Sequence, residues 1–350
     1  MEKERITMAH GAGGQAMQEL IKRYIVKYLG GSEAEVPLEA LDDSAIINGI
    51  VLKSDSYTIK PIFFPGGDIG RLAVSGTIND IAVMGAEPIA LATGIIIEEG
   101  FPINDFERIL KSMKETCHEA GVYVITGDLK VVEKGALDQF IINTSGIGKR
   151  SKYLDSNIEE VKKYRKFESK WLLDSNVRDG DIIIVSGTIG DHGIAILSCR
   201  EGYGFESNVE SDTKPLNKLV QRILKVGGIV AMKDPTRGGL ANALNEWSEK
   251  SRVGIIIEEE RIPIKESVKA ACEMLGIDPL EIGNEGKLLI AVVKEKAEEV
   301  LNELKKTKEG FEAQIIGEAT KEFNGVILKT SIGGRRIIPA PLGDPIPRIC

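Results

Sequence analysis

Long apolar runs, basic blocks and secretion signals are all missing from this 350-residue chain. No apolar run reaches the roughly 20 residues of a membrane span, and the first residues, Met-Glu-Lys-Glu-Arg, have no signal-peptide character. No basic block offsets the formal net charge of −8, which argues against a nucleic-acid partner. We therefore expect a cytoplasmic protein with neither a membrane nor a nucleic-acid partner.

Cysteine and histidine are scarce, with four and three copies. No Cys-x-x-Cys pair is present and the histidines are far apart in the sequence, so neither a structural zinc site nor a disulfide framework is indicated. Three cysteines follow apolar residues at about one helical turn and are predicted to be core thiols: Cys117, Cys199 and Cys272. Cys350 ends the chain and lacks such a packing neighbour.

The last twelve residues, 339–350, contain four prolines and one glycine. Proline fixes φ and has no amide donor, so this stretch is predicted to be an extended, semi-stiff arm rather than a helix or a central strand. It is either a frayed tail with an incidental cysteine or a mobile carrier of a group bound to the Cys350 sulfur. We favour the carrier.

Strands alternate with helices through the rest of the chain, which predicts two domains of an α+β (α/β-like) fold. We place the first domain at 1–155, a polar, lysine-rich linker or surface insertion at 156–176, the second domain at 177–335 and the tail at 336–350. Within the first domain, 104–120 is predicted as a helix that Asn104 caps with Glu107 in a capping box.

Acidic residues follow several strand candidates or lie in the helix predicted after Asp68. A single aspartate in such a place is usually a turn former or a cap. Several together are better explained by Mg²⁺ with a polyphosphate, because magnesium takes oxygen ligands and commonly bridges carboxylates to phosphates. The candidate metal ligands are Asp43, Asp55, Asp80 and Asp128.

A glycine-rich loop, His10-Gly-Ala-Gly-Gly, precedes the first predicted helix. Glycines at this place would let backbone amides approach an anion at the helix start, although flexible N-terminal glycines are also common without a ligand.

Motifs along nearly the whole chain resemble the aminoimidazole ribonucleotide synthetase (PurM-like) superfamily, an ATP-using group. They include His10-Gly-Ala-Gly-Gly, Asp42-Asp43-Ser-Ala, Phe63-Phe-Pro-Gly-Gly-Asp-Ile-Gly, Thr77-Ile-Asn-Asp-Ile-Ala-Val-Met-Gly-Ala, Gly127-Asp128-Leu-Lys130, Ser186-Gly-Thr-Ile-Gly-Asp-His-Gly, Asp234-Pro-Thr-Arg-Gly-Gly-Leu-Ala and Gly283-Asn-Glu-Gly-Lys. The terminal Pro347-Arg-Ile-Cys350 is specific to one branch, the carbamoyl dehydratases of hydrogenase maturation. In the Gly127-Asp128-Leu-Lys130 motif, Leu129 stands where the family pattern has Thr. The segment 156–176 is longer and more charged than expected at the domain junction of this family.

The resemblance implies a reaction. A carbamoyltransferase partner loads a carbamoyl group onto Cys350, and ATP, with Mg²⁺, phosphorylates the carboxamide oxygen. Loss of phosphate leaves a thiocyanate, whose nitrile passes to iron on a scaffold maturation complex as a cyanide ligand of [NiFe]-hydrogenase. The family also implies a homodimer in which the N-terminal mixed sheets pair in a shared barrel with nucleotide at the interface.

The resemblance also assigns residues to roles. The catalytic set is Cys350, Glu285, Lys130, Asn284 and His10. The nucleotide-binding set is Gly11, Gly13, Gly14, Thr77, Asn79, Gly127, Asp234 and Arg237. Glu285 is the better base for the carboxamide protons, because a carboxylate is ordinarily deprotonated at pH 7, whereas Lys130 would need a lowered pKa.

Two other functions share part of this pattern. A small-molecule kinase or synthetase of the same superfamily (thiamine monophosphate kinase, selenophosphate synthetase or the purine enzyme) would lack the terminal cysteine arm. A non-catalytic carrier that only presents Cys350 to partners would have no need of magnesium ligands.

Overall fold

The computed structural model describes residues 5–11, 13–200, 208–343, 346 and 349. Its helices are α1 (Gln15–Leu20), α2 (Lys27–Leu29), α3 (Ile69–Val83), α4 (Ile103–Ala120), α5 (Leu154–Lys162), α6 (Asp191–Ser198), α7 (Asn217–Val226), α8 (Gly239–Ser251), α9 (Glu266–Leu275) and α10 (Ala297–Lys305). A π-helical stretch, Ile21–Val26, joins α1 to α2. None of the helices within the described ranges is both long and apolar enough to cross a lipid bilayer.

The strands are β1 (Ala45–Ile47), β2 (Ile50–Tyr57), β3 (Phe63–Phe64), β4 (Gly67–Asp68), β5 (Ala86–Glu98), β6 (Val124–Val132), β7 (Phe140–Arg150), β8 (Ile182–Val185), β9 (Ile229–Lys233), β10 (Gly254–Glu258), β11 (Leu289–Val292), β12 (Gln314–Thr320), β13 (Gly325–Lys329) and β14 (Arg335–Ile338). They form a five-stranded sheet, a seven-stranded sheet and the short pair β3–β4. The predicted α+β fold with mixed sheets is therefore confirmed.

The five-stranded sheet has the order β1-β2-β7-β5-β6. Its neighbours are antiparallel except for the parallel pair β5–β6. Helix α3 packs against β2, β5 and β7 on one face, and α4 packs on α3. On β2, Val51 and Tyr57 are buried beneath α3, whereas Ile50 and Leu52 are exposed. This alternation is that of a sheet with one covered and one open face.

The seven-stranded sheet has the order β14-β13-β10-β12-β8-β11-β9. Only β10 and β13 are parallel neighbours. Strands β9 and β11 are buried along their whole length, and Trp247 of α8 is fully buried in the core around them. The last residue of β9 is Lys233, so a buried apolar strand delivers a charged side chain at its end.

Helix α3 joins the two halves of the molecule. Asp68 caps it by accepting hydrogen bonds from the Gly70 and Arg71 amides at 2.7 and 3.1 Å. Nearly all of its residues are buried, including polar ones, as expected for a helix surrounded by protein on all sides. The apolar residues at its start and at its end belong to two different core clusters, and both clusters include residues of the second domain. The two predicted domains therefore do not have separate cores.

Helix α4 differs from its prediction at its start. It begins at Ile103, so Asn104 lies inside the helix, Pro102 occupies the N-cap without a side-chain hydrogen bond, and Glu107 pairs with Lys111 at 2.8 Å. The predicted capping box is thus wrong, because the chain turns into the helix one residue before the polar side chain that could cap it. The predicted end at Gly121 is confirmed, with φ at 78°.

The segment 156–176 connects the two sheets, as a linker does, but it is not simply a surface insertion. Its lysines are exposed, but the polar residues Asn157, Asp174 and Asn176 are buried. The apolar residues Ile158, Val161, Trp171 and Leu172 are buried in the core of the second domain. The charged residues dominate the composition of the segment and conceal the apolar positions spaced between them.

The three internal cysteines divide into two groups. Cys117 and Cys272 are buried, as predicted. Cys199 is exposed, and the prediction for it is wrong, because it follows α6 as the C-cap residue instead of lying on the buried side of that helix. Cys350 lies outside the described residues.

Candidate active site

A cavity of about 390 Å³ opens beside β2 and α3 and extends to the loop that joins β9 to α8. One wall is apolar and includes Met17 and Ile21 from the N-terminal helical segment. The rest of the lining is strongly charged. Its charged lining residues are Asp42, Asp43, Lys53, Asp55, Asp80, Lys233, Asp234, Arg237, Glu246 and Glu285.

Three aspartates meet in this cavity. One carboxylate oxygen from each of Asp43, Asp80 and Asp234 lies within 4.8 Å of the other two. Burial raises the pKa of Asp43 and of Asp80, and burial beside Asp43 raises the pKa of Asp234 to about 7. Crowded, buried carboxylates of this kind fit a divalent cation that takes oxygen ligands.

Asp55 lies next to this cluster and is not part of it. Lys53 separates the two, since its Nζ is 3.2 Å from Asp55 Oδ1 and 2.8 Å from Asp80 Oδ2. The Tyr57 hydroxyl also donates to Asp55 Oδ2, at 3.3 Å. Burial lowers the pKa of Lys53, but Asp80 and Asp55 outweigh it, so the pKa of Lys53 is raised and the amine stays charged.

A buried ion-pair network, which the sequence analysis missed, supports Asp43. Lys233 Nζ lies 2.6 Å from Asp43 Oδ1, 3.1 Å from Asp174 Oδ2 and 3.0 Å from Glu246 Oε2. Lys250 binds Asp174 at 2.7 Å. Burial opposes ionisation of Asp174, but Lys233 and Lys250 outweigh it and hold the pKa of Asp174 at about 2. The sequence does contain one signal for this network, because Lys233 ends an apolar strand directly before Asp234.

Glu285 lines the same cavity and is 2% exposed. Burial, with Asp234 and Asp212 nearby, raises the pKa of Glu285 well above its usual range. Burial therefore works against the deprotonated form that was expected of Glu285. A carboxyl group with a raised pKa can nevertheless take up and release protons near neutral pH.

Asn284 holds backbone segments together. Its Oδ1 accepts from the Gly190 amide at 2.8 Å, and its Nδ2 donates to the Pro235 and Ile282 carbonyl oxygens, each at 3.1 Å. Its side chain is fully buried, and these three hydrogen bonds join it to three stretches of main chain. These contacts fix the position of the loop that carries Glu285.

The predicted nucleotide-binding residues are distributed unequally. Gly13, Asp234 and Arg237 line the cavity, and Gly13 packs directly on Arg237, where a Cβ would lie 2.6 Å from the Arg237 Cβ. Thr77 bonds to Tyr57 and Thr144, and Asn79 bonds to the main chain at 214 and 216. His10, Gly11 and Gly14 are outside the cavity lining. His10 is half-buried, and its Nδ1 accepts from the Thr7 amide at 3.0 Å.

Asp128, Lys130 and Gly127 lie far from Asp55 in the same chain. The register across the sheet runs from Asp55 through Thr144 and Thr93 to Gly127. Three strand spacings correspond to about 14 Å, too far for one ion to bind both Asp55 and Asp128. Asp128 and Lys130 are exposed and form an ion pair with each other at 2.9 Å.

Comparisons with known proteins agree with this architecture. Residues 41–149 match the N-terminal domain and residues 178–329 the C-terminal domain of AIR synthase related proteins. A putative hydrogenase expression/formation protein of Methanocaldococcus jannaschii is 54% identical over 99% of this chain and 100% of its own length. The carbamoyl dehydratase HypE of Rhizobium leguminosarum bv. viciae is 44% identical over 99% of this chain and 95% of its own.

Solved structures show the same relationship. A HypE–HypF complex contains a chain that is 44% identical and superposes with a TM-score of 0.83, covering 92% of this chain and 99% of that one. HypE in complex with ATP is 38% identical, with a TM-score of 0.79, and the match covers 99% of this chain and 100% of that one.

The fold and the acidic cavity thus define a two-domain AIR synthase related protein of the PurM-like class. Within this class, the chain belongs to the HypE family of carbamoyl dehydratases, to which it is similar over its full length.

Proposed function

We propose that this protein is the ATP-dependent carbamoyl dehydratase that converts an S-carbamoyl group on Cys350 into a thiocyanate, the source of the cyanide ligand for [NiFe]-hydrogenase iron. The observation that carries the proposal is the position of Ile349, the residue before Cys350. A Cβ on Gly283 would lie 3.4 Å from Ile349 Cδ1, and Gly283 is two residues before Glu285. Ile349 therefore packs against the loop that supplies an acid to the cavity.

The chemistry requires the carboxamide oxygen to become a leaving group. Transfer of the γ-phosphoryl group of ATP to that oxygen releases ADP, and cleavage of the C–O bond then releases the oxygen within inorganic phosphate. Both N–H protons are lost and the C–N bond becomes a triple bond. Cys350 keeps its S–C bond throughout, and the elements of one water leave the carbamoyl group.

The cavity provides residues for this reaction. Asp43, Asp80 and Asp234 would hold a Mg²⁺ ion, which neutralises charge on phosphoryl oxygens when it is bound. Asp234, predicted only to bind nucleotide, thereby joins the metal ligands. Arg237 would bind a nucleotide phosphate, because a guanidinium group is suited to phosphate oxygens. Glu285 would accept a carboxamide proton.

We also propose that the protein acts as a homodimer through the open face and edge of the five-stranded sheet. Strand β6 is an edge strand on which Ile125, Leu129 and Val131 are each more than half exposed. An exposed apolar edge strand of this length is normally covered by a partner. With the open faces of two copies packed together, the partner's Asp128 and Lys130 would reach the β2 side of the sheet, which Asp128 of the same chain does not reach. Sedimentation of Leu129→Asp as a monomer, with the wild type as a dimer, would support this arrangement.

The proposed protein partners follow from the same reaction. A HypF-type carbamoyltransferase would supply the carbamoyl group, and an iron-carrying scaffold complex would accept the cyanide. The mass of the C-terminal peptide tests the scheme after incubation with the carbamoyltransferase and carbamoyl phosphate. We expect a carbamoyl adduct on Cys350 without ATP and the loss of one water from it with ATP. Modification of Cys117, Cys199 or Cys272 in place of Cys350 would refute the carrier assignment, and an adduct that never loses water would leave only a carrier.

A further inference from the structure

The described parts of the C-terminal arm are anchored at several places on the same chain. Asn245 Nδ2 donates to the Ile338 carbonyl oxygen at 3.0 Å, and the Gln15 amide donates to the Pro341 carbonyl oxygen at 3.2 Å. Further along, Ile346 is fully buried and Ile349 is 2% exposed. An arm whose composition predicts an extended tail thus has two deeply buried isoleucines among its last five residues.

A groove with no room for additional side chains receives these isoleucines. A Cβ on Gly193, in the first turn of α6, would lie 2.7 Å from Ile346 Cδ1 and 3.2 Å from Ile349 Cδ1. Gly283 lies against Ile349 on the other side, and Ile282 belongs to the same core cluster. Close packing of this kind fixes side chains more narrowly than a loose apolar surface does.

His192, which none of the motif-based site assignments used, contacts the arm at the same groove. Its ring is fully buried, and Nε2 is 3.1 Å from the Ile349 carbonyl oxygen. Nδ1 is 2.8 Å from Ser211 Oγ, and Ser211 Oγ in turn accepts from the Thr213 amide at 3.1 Å. The Phe64 ring packs against the imidazole edge to face, with centroids 5.5 Å apart.

These partners determine where the imidazole proton lies. Burial lowers the pKa of His192, so the ring is neutral and has one N–H. A carbonyl oxygen can only accept a hydrogen bond, so Nε2 must be the nitrogen that donates to Ile349, and Nδ1 accepts from the Ser211 hydroxyl. The accepting carbonyl belongs to the peptide bond that joins Ile349 to Cys350.

We infer that His192 is a positioning residue that holds the Ile349–Cys350 peptide in the docked state of the arm, with Ser211 fixing its tautomer and the Gly193–Gly283 groove seating Ile346 and Ile349. The consequence for catalysis rests on the proposed function, in which Cys350 is loaded by another protein and dehydrated in its own cavity. Loading requires the arm to leave the groove, and dehydration requires it to return. His192 then biases the equilibrium towards the state in which dehydration occurs.

The first test measures docking without any carbamoyl chemistry. Apo wild type, His192→Phe and His192→Gln are treated with iodoacetamide, and the alkylation rate of each cysteine is followed by peptide mass spectrometry. Phenylalanine keeps an aromatic ring beside Phe64 but has no donor, so Cys350 should react roughly three- to tenfold faster, as expected for one lost hydrogen bond. Glutamine retains an amide donor at about the distance of Nε2 and should restore most of the protection.

The chain supplies its own controls for this measurement. Cys199 is exposed and should react equally in every variant, while Cys117 and Cys272 are buried and report whether the core has opened. Ile349→Ala removes the side chain from the groove while leaving His192 intact, and it should also speed the alkylation of Cys350. Equal rates at Cys350 in wild type, His192→Phe and Ile349→Ala would overturn the inference.

A second measurement separates this inference from the proposed function. With the carbamoyltransferase and ATP present, His192→Phe should accept the carbamoyl group at least as fast as wild type and dehydrate it more slowly, with rescue by His192→Gln. If wild-type Cys350 never becomes carbamoylated, the proposed function fails while the alkylation result still decides the docking role. If all variants dehydrate and alkylate at the wild-type rate, only the role of His192 is refuted.

Discussion

Asp80 and Asp128 have the same side chain but lie in opposite surroundings. Asp80 is buried in α3 among other carboxylates, and burial raises its pKa well above the usual range. Asp128 is exposed on β6, where a hydrogen bond from Lys130 lowers its pKa. The first belongs to a site assembled inside one chain, whereas the second is a charged pair on an open edge strand. The sequence motifs gave no means of distinguishing them.

This contrast shows which part of the site a single chain completes. The carboxylate cluster is held by the buried network around Lys233 and needs no second chain for its geometry. The pair Asp128–Lys130 is about 14 Å from Asp55 in the same sheet and is surrounded by exposed apolar side chains. The geometry of the carboxylate cluster should therefore survive dilution of the protein. Any contribution of Asp128 and Lys130 to catalysis should be lost when dilution dissociates the dimer.

We expect the largest effect from substitution of a candidate base, either Glu285 in the cavity or Lys130 on β6. Glu285→Gln should still accept the carbamoyl group but convert it roughly 10²–10⁴-fold more slowly, the usual contribution of one positioned base. Because burial raises the pKa of Glu285, wild-type dehydration should also accelerate as pH rises, and the variant should lose this dependence. Single-turnover mass spectrometry of the C-terminal peptide measures both. Normal conversion by Glu285→Gln with loss in Lys130→Met would move the base to the strand.

Removal of one carboxylate from the cluster should give the next largest effect. Asp80→Asn keeps the size of the side chain but removes a charged oxygen ligand, so ATP turnover should fall roughly 10²–10³-fold as phosphoryl charge loses its counter-ion. The Tm should fall only a few degrees, because Asn keeps the size of the side chain but loses the 2.8 Å ion pair with Lys53. Asp155→Asn, at an exposed ion pair with Arg150, is the matched control. Wild-type turnover in Asp80→Asn at unchanged Mg²⁺ dependence would make the cluster structural.

The sequence predicted the general fold better than it predicted individual contacts. The order of strands and helices followed from apolar periodicity, and Asp43, Asp80, Asp234 and Glu285 do converge on one cavity. The Lys233–Asp174 pairing could not be foreseen, because it depends on packing between segments 59 residues apart. His192 was passed over because a lone buried histidine gives no signal until the arm that it contacts is placed.

Subunit complementation should give a smaller effect, and it tests directly whether Asp128 serves another chain. Asp80→Asn and Asp128→Asn are co-expressed with different affinity tags, and the mixed dimer is purified. If Asp128 acts on the partner's cavity, one of the two sites is intact and the mixed dimer should recover about half of the wild-type activity. Each variant expressed alone should be inactive. A mixed dimer as inactive as its parents would place Asp128 in its own chain's site, and full activity of Asp128→Asn expressed alone would place Asp128 outside any site.

The smallest effect concerns stability and pH in the metal-free protein. Burial beside Asp43 raises the pKa of Asp234 from 3.8 to about 7, so the folded state binds more protons than the unfolded chain between these values. This group's contribution to stability is therefore complete below about pH 4 and is lost as pH rises through about 7. Over this range, the Tm of Asp234→Asn should fall a few degrees less than that of wild type, whereas Asp128→Asn should follow wild type closely, because its carboxylate is exposed.

Added Mg²⁺ at neutral pH should raise the Tm of wild type more than that of Asp234→Asn, because a cation bound at the cluster stabilises the charged carboxylates that the substitution removes. Parallel Tm curves for all three proteins, by calorimetry with and without Mg²⁺, would contradict a cluster that binds the cation and would remove the contrast with Asp128.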